Sequence, residues 1–223
     1  MYWRAGLICL CLGAVPLAHA SDVTTYGAGL SSCQAYTEAR NQGTPDLVAY
    51  TDWLSGYLSG VNTTSNHRNN FLSHDDLESA MSWLGDFCLR HPASRVAEAA
   101  WTLILSAKSG PAAHAVEVAA YGAGYKSCQI YVLARSQRSI ELNVDQTEFF
   151  AWLGGYLSGV NAMSLTTTDA LGKSGLDDAV RWLDGYCGAH DESSFAAAVR
   201  TLIAPDRSAD RKALAAAATP ITR

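Results

Sequence analysis

The chain contains two near copies of one segment, each with a cysteine near its start and another about two-thirds along. Tyr26-Gly-Ala-Gly-x-x-Ser-Cys33-Gln-x-Tyr36-x-x-Ala-Arg40 returns as Tyr121-Gly-Ala-Gly-x-x-Ser-Cys128-Gln-x-Tyr131-x-x-Ala-Arg135. Trp53-Leu-Ser-Gly-Tyr-Leu-Ser-Gly-Val-Asn62 returns as Trp152-Leu-Gly-Gly-Tyr-Leu-Ser-Gly-Val-Asn161, with one change in ten. Trp83-Leu-x-x-Phe-Cys88-x-x-His91 is answered by Trp182-Leu-x-x-Tyr-Cys187-x-x-His190. A duplicated segment must satisfy the same packing twice, so each position can be judged against its twin.

Residues 1–20 read as a secretory leader to be removed. Arg4 supplies the charge, Gly6 to Leu17 the apolar run, and Ala18-His-Ala20 a small-residue cleavage pattern. Cys9 and Cys11 leave with it, so four cysteines remain in an export context that permits disulfides. Four can pair in three ways. The repeat selects Cys33–Cys88 and Cys128–Cys187, because crosswise pairing would require a swapped arrangement. In the chain-entropy model closing a loop of this size restricts the unfolded chain and stabilises the fold by about 4 kcal/mol. The net charge of −5 becomes −6 when Arg4 is removed, and no basic run is present. That balance argues against nucleic acid or an anionic membrane as partner. Past the leader no stretch approaches the ~20 apolar residues of a membrane span.

Apolar periodicity predicts four helices per copy and an all-α fold of two tandem four-helix modules, each with one internal disulfide. Ser31 or Ser32, and Ser127, cap the first helix. Tyr50, Trp53, Leu54, Tyr57, Leu58 and Val61 mark the second, matched by Phe149, Trp152, Leu153, Tyr156, Leu157 and Val160. Capping signals Asp75-x-x-Glu78 and Ser174-x-x-Asp177 open the third. Val96 to Ile104 and Phe195 to Ile203 form the fourth. The expected organisation is leader 1–20, first repeat 21–105, linker 106–120, second repeat 121–204 and tail 205–223. The offset between copies is 95 at the first cysteines and 99 at the tryptophans, which places a four-residue insertion in a loop between the first two helices of the second copy.

Gly56 and Gly60, with Gly155 and Gly159, lie four apart inside the second helix. Mid-helix glycine costs up to ~1 kcal/mol against alanine, and close approach of another helix is the expected offset. Gly-x-x-Ser-Gly around Ser59 does not match the spacing of a nucleophile elbow. His91 and His190 read as side chains that meet the carbonyls at a helix C-terminus. His67 and His74, with Asp75 and Asp76, have no repeated counterpart and match no metal spacing. The paired tryptophans read as core, and the unrepeated Trp101 as a candidate for the interface between copies. No nucleophile–base set recurs, so no enzyme, cofactor or metal is expected.

Tyrosines on the repeated helix, and the polar loops Asn62 to His74 and Asn161 to Lys173, are where recognition is expected, because loops on a rigid frame diverge freely. The candidate partner contacts are Tyr57, Asn62, His67 and Arg68 in the first copy and Tyr156, Asn161, Thr166 and Thr167 in the second. The leader, the early cysteine, Gly-Tyr-Leu-Ser-Gly-Val-Asn and Trp-Leu-x-x-Phe/Tyr-Cys-x-x-His-Pro resemble two groups of small periplasmic bacterial proteins. These are the Tai/Rap-type immunity proteins of type VI secretion and the HdeA-like acid-stress chaperones. The resemblance spans Tyr26 to Ile104 and Tyr121 to Ile203, although the second copy has His190-Asp191 where the first has His91-Pro92. It implies a periplasmic protein-binding role. The partner would be a toxic effector that the protein blocks, or alternatively an unfolded client held under acid stress.

Overall fold

A computed structural model describes residues 23–65, 77–106, 120–136 and 145–204. The leader, His67, Arg68, His74, Asp75, Asp76, most of the linker, most of the inserted loop and the tail lie outside the described residues. Among the described residues the chain is all-helical: α1 (Cys33–Gln42), α2 (Asp46–Thr64), α3 (Leu77–Arg90), α4 (Val96–Ser106), α5 (Cys128–Arg135), α6 (Gln146–Met163), α7 (Leu176–Ala189) and α8 (Phe195–Ile203). A short 3-10 turn precedes α1 (Gly27–Leu30) and another precedes α5 (Gly122–Tyr125).

Local chemistry sets the ends of these helices. Ser32, Ser127 and Ser194 sit in extended backbone and accept from the amide three residues on, the usual N-cap bond. Gly43 ends α1 at φ 60°, a left-handed conformation that favours glycine. Ser174 is not the cap of α7, contrary to the capping-box expectation. Gly175 takes that place without a side-chain bond, and Asp177 and Asp178 fall in the first turn, where the helix dipole favours them.

The expected disulfides are present, Cys33–Cys88 joining α1 to α3 and Cys128–Cys187 joining α5 to α7. The buried apolar side chains form two clusters. One surrounds Cys33, Tyr36, Trp53, Leu84 and Val96, the other Cys128, Tyr131, Trp152, Leu183 and Phe195. Trp101 is half-buried against the first cluster.

Among the described elements the most extensive contact is between α2 and α6. A Cβ built on Gly56 would lie 2.0 Å from the Trp152 carbonyl oxygen, and one on Gly60 2.3 Å from that of Tyr156. Reciprocally, Gly155 would meet the oxygen of Trp53 at 1.9 Å and Gly159 that of Tyr57 at 2.2 Å. Exchanging each residue for its twin maps these contacts onto one another. The contacts advance together along both helices, so the pair is parallel and related by a pseudo-twofold axis. Only glycine allows backbones to come this close, which is what the four repeated glycines are for.

Candidate partner-binding site

The repeated tyrosines are part of this seam. Tyr57 is 2 % exposed and Tyr156 0 %, and each stacks on the tryptophan one turn earlier, with centroids at 5.1 and 5.0 Å. Trp53 Nε1 donates to the Tyr26 carbonyl and Trp152 Nε1 to that of Tyr121, both at 2.7 Å. The Tyr156 hydroxyl donates to Thr63 Oγ1 at 2.9 Å, and burial pushes its pKa up to about 12. Two further bonds cross between the copies as twins. The Tyr26 amide donates to Ser158 Oγ and the Tyr121 amide to Ser59 Oγ, each at 2.9 Å. Both serine hydroxyls in turn donate one turn back along their helices, at 2.7 Å. Ser59 is therefore structural, as its spacing implied.

Asn62 and Asn161 are also buried, at 1 % and 0 % exposed, because α2 and α6 continue beyond them to Thr64 and Met163. Asn161 holds two segments together. Its Nδ2 donates to the Thr24 carbonyl at 2.8 Å, and its Oδ1 accepts from the Ala170 amide at 2.7 Å. Tyr57, Asn62, Tyr156 and Asn161 thus offer no surface to a partner in this structure. Periodicity placed the two tyrosines on an apolar face, along which the twin helix packs, whereas the two asparagines, expected at the start of polar loops, fall in the last turn of their helices.

Thr166 and Thr167 are exposed, as expected, on the loop between α6 and α7. The loop is fastened at both ends. Ser164 Oγ accepts from the Thr166 and Thr167 amides at 3.3 and 3.1 Å. Asp169 accepts from the Tyr26 hydroxyl at 2.7 Å and from the Leu171 amide at 2.9 Å, and the Thr24 amide donates to the Thr168 carbonyl at 2.9 Å. Burial, then the bond to Asp169, pushes the Tyr26 phenol well above its ordinary value. Between these anchors Leu165 is fully exposed (101 %).

Sequence reasoning missed Thr24, Tyr26, Ser158 and Asp169. The signal for two of them was present, since Tyr26 and Ser158 have identical twins in Tyr121 and Ser59. His190 behaves as read: its Nδ1 lies 2.9 Å from the Tyr186 carbonyl and its ring stacks on Tyr186 at 4.2 Å. His91 packs on Phe87 with centroids at 4.4 Å, the rings tilted by 32°. Among the described residues no helix is long and apolar enough to cross a membrane. No family model, curated protein or solved structure matches the chain.

Proposed function

We propose that the protein is a periplasmic, non-catalytic binding protein of two tandem four-helix modules that docks on a secreted effector protein and blocks it. The observation that carries this reading is the α6–α7 loop, which displays Leu165, Thr166 and Thr167 while its ends are tied to Asn161, Tyr26 and Thr24. A recognition loop held in one shape before binding loses little entropy on docking. The oxidised frame, stapled twice by disulfides, suits an exported protein. The resemblance to Tai/Rap-type immunity proteins supplies the class of partner.

The test is to mix the purified protein with the toxins secreted by the same cells and look for an equimolar complex on size exclusion. Wild type forms one, and Leu165→Glu loses it without a change in Tm. No complex with any of them, or equal binding by Leu165→Glu, refutes the reading. Suppression of client aggregation in acid, with no equimolar complex, would instead establish the chaperone alternative.

A further inference from the structure

The seam between the copies joins two surfaces that are nearly the same surface. Trp53 to Asn62 and Trp152 to Asn161 differ only at Ser55, whose twin is Gly154. That one difference meets a glycine from either copy. A Cβ added to Gly122 would lie 2.5 Å from Ser55 Oγ, and Gly27, the twin of Gly122, offers a serine the same room. The arms before the first cysteines are interchangeable as well. The Tyr26 amide donates to Ser158 Oγ and the Tyr121 amide to Ser59 Oγ, both at 2.9 Å. A surface that pairs with its own copy in this way is self-complementary, the property that closes twofold dimers.

One bond breaks the symmetry. The Tyr156 hydroxyl donates to Thr63 Oγ1 at 2.9 Å, but the twin of Thr63 is Ala162, which offers Tyr57 no hydroxyl. Two separate molecules therefore hold two such bonds, both to Thr63. With α2 of one molecule laid on α2 of another, each Tyr57 reaches the other's Thr63, and that pair holds two bonds by itself. The remaining α6 pair holds none. The totals are equal, so an exchange of partners costs the seam neither a backbone contact nor a hydrogen bond. Asp52 leaves Glu148, which repels it, together with Lys126, which attracts it. Each copy has its own disulfide and its own apolar cluster, so the copies can part as units.

We propose that two molecules of this chain associate by exchanging seam partners, α2 on α2 and α6 on α6, into a closed twofold dimer. The partner is a second copy of the chain, and the interface is the seam rather than the α6–α7 loop. At that loop Tyr121 of the second molecule takes the place of Tyr26 opposite Asp169. Tethering favours the monomer, because a short linker supplies an effective concentration in the mM range. Exchange is therefore half complete at about 1 mM chain.

The test mixes 13C-labelled and unlabelled full chains at about 1 mM, opens the seam with urea at the foot of the unfolding transition, removes the urea and separates the products by size. A dimer forms, and repeating the cycle about tenfold more dilute cuts its share severalfold. In the mixed dimer an isotope-filtered NOE joins the Tyr57 ring of one chain to the Thr63 methyl of the other. Within one chain the two residues are about 9 Å apart along α2, too far for that signal. No dimer after the cycle would overturn the proposal. So would a dimer whose filtered NOEs join Thr63 to Tyr156 alone, which is exchange of α2 against α6. A dimer with no filtered NOE to Thr63 associates through another surface and overturns it equally.

Discussion

Replacing Gly155 with alanine places a methyl carbon 1.9 Å from the Trp53 carbonyl oxygen, 2.8 Å from the carbonyl carbon and 2.9 Å from the Tyr57 amide nitrogen. Close carbon–oxygen contacts in proteins are about 3.3–3.6 Å, so α2 and α6 must part by roughly 1.4 Å. The obstacle is backbone on a packed helix, which cannot turn aside as a side chain can. Overpacking of this kind costs ~3 kcal/mol or more, and alanine returns ~1 kcal/mol of helix propensity. The expected net loss is therefore about 2 kcal/mol, or ~4–8 °C in Tm for a chain of this size. Gly185 gives the control. It also sits inside a helix, α7, but an added Cβ meets nothing within 4 Å among the described residues, so Gly185→Ala should stabilise by up to ~1 kcal/mol. Urea unfolding of both variants measures the pair of opposite signs. The double variant Gly56→Ala/Gly155→Ala should cost less than the sum of the singles, because helices already parted are not parted twice. A Gly155→Ala protein as stable as wild type would refute this account of the seam.

Asp52, half-buried on α2, has a pKa raised from 3.8 to about 6, first by burial and then by the nearby Glu148 carboxylate, with Lys126 opposing. A raised folded-state value means that stability is fully present below the unfolded pKa and is lost as pH rises through about 6. Asp52→Asn should match wild type below about pH 4 and exceed it above about pH 6. The full shift is worth ~3 kcal/mol, and solvent access reduces the expectation to about 1–2 kcal/mol, readable by urea titration across the range. Asn161→Ala should destabilise by about 2–4 kcal/mol, since the Thr24 carbonyl and the Ala170 amide would both lose their partner, and amide exchange at Ala170 should accelerate. A protease site introduced within residues 107–119 and cleaved should leave the two fragments together on size exclusion. Their separation would show that the linker, rather than the glycine seam and the bonds of Ser59 and Ser158, holds the copies together.

The amino-acid sequence by itself determined the helices, the pairing of the cysteines and the need for a close helix contact at the glycines. Those features are local, or are compared directly through the duplication: a period of three to four residues, a repeated spacing, a helix breaker retained twice. It did not determine which helix would lie against the glycines, because a face that is apolar and small fits any complementary face. The tertiary structure decided that the partner is the twin helix, and it leaves Tyr57, Tyr156, Asn62 and Asn161 buried. Periodicity reports that a face leaves water but not what it meets, so two tyrosines suited to a partner surface lie instead along the seam between the copies. The exposed elements followed the same logic in reverse. Thr166 and Thr167 remain outside because Tyr26 and Thr24, more than 130 positions away in the chain, fix the loop that carries them. Only long-range contacts could show that arrangement, since neither the loop nor the N-terminal arm encodes the other in its own residues.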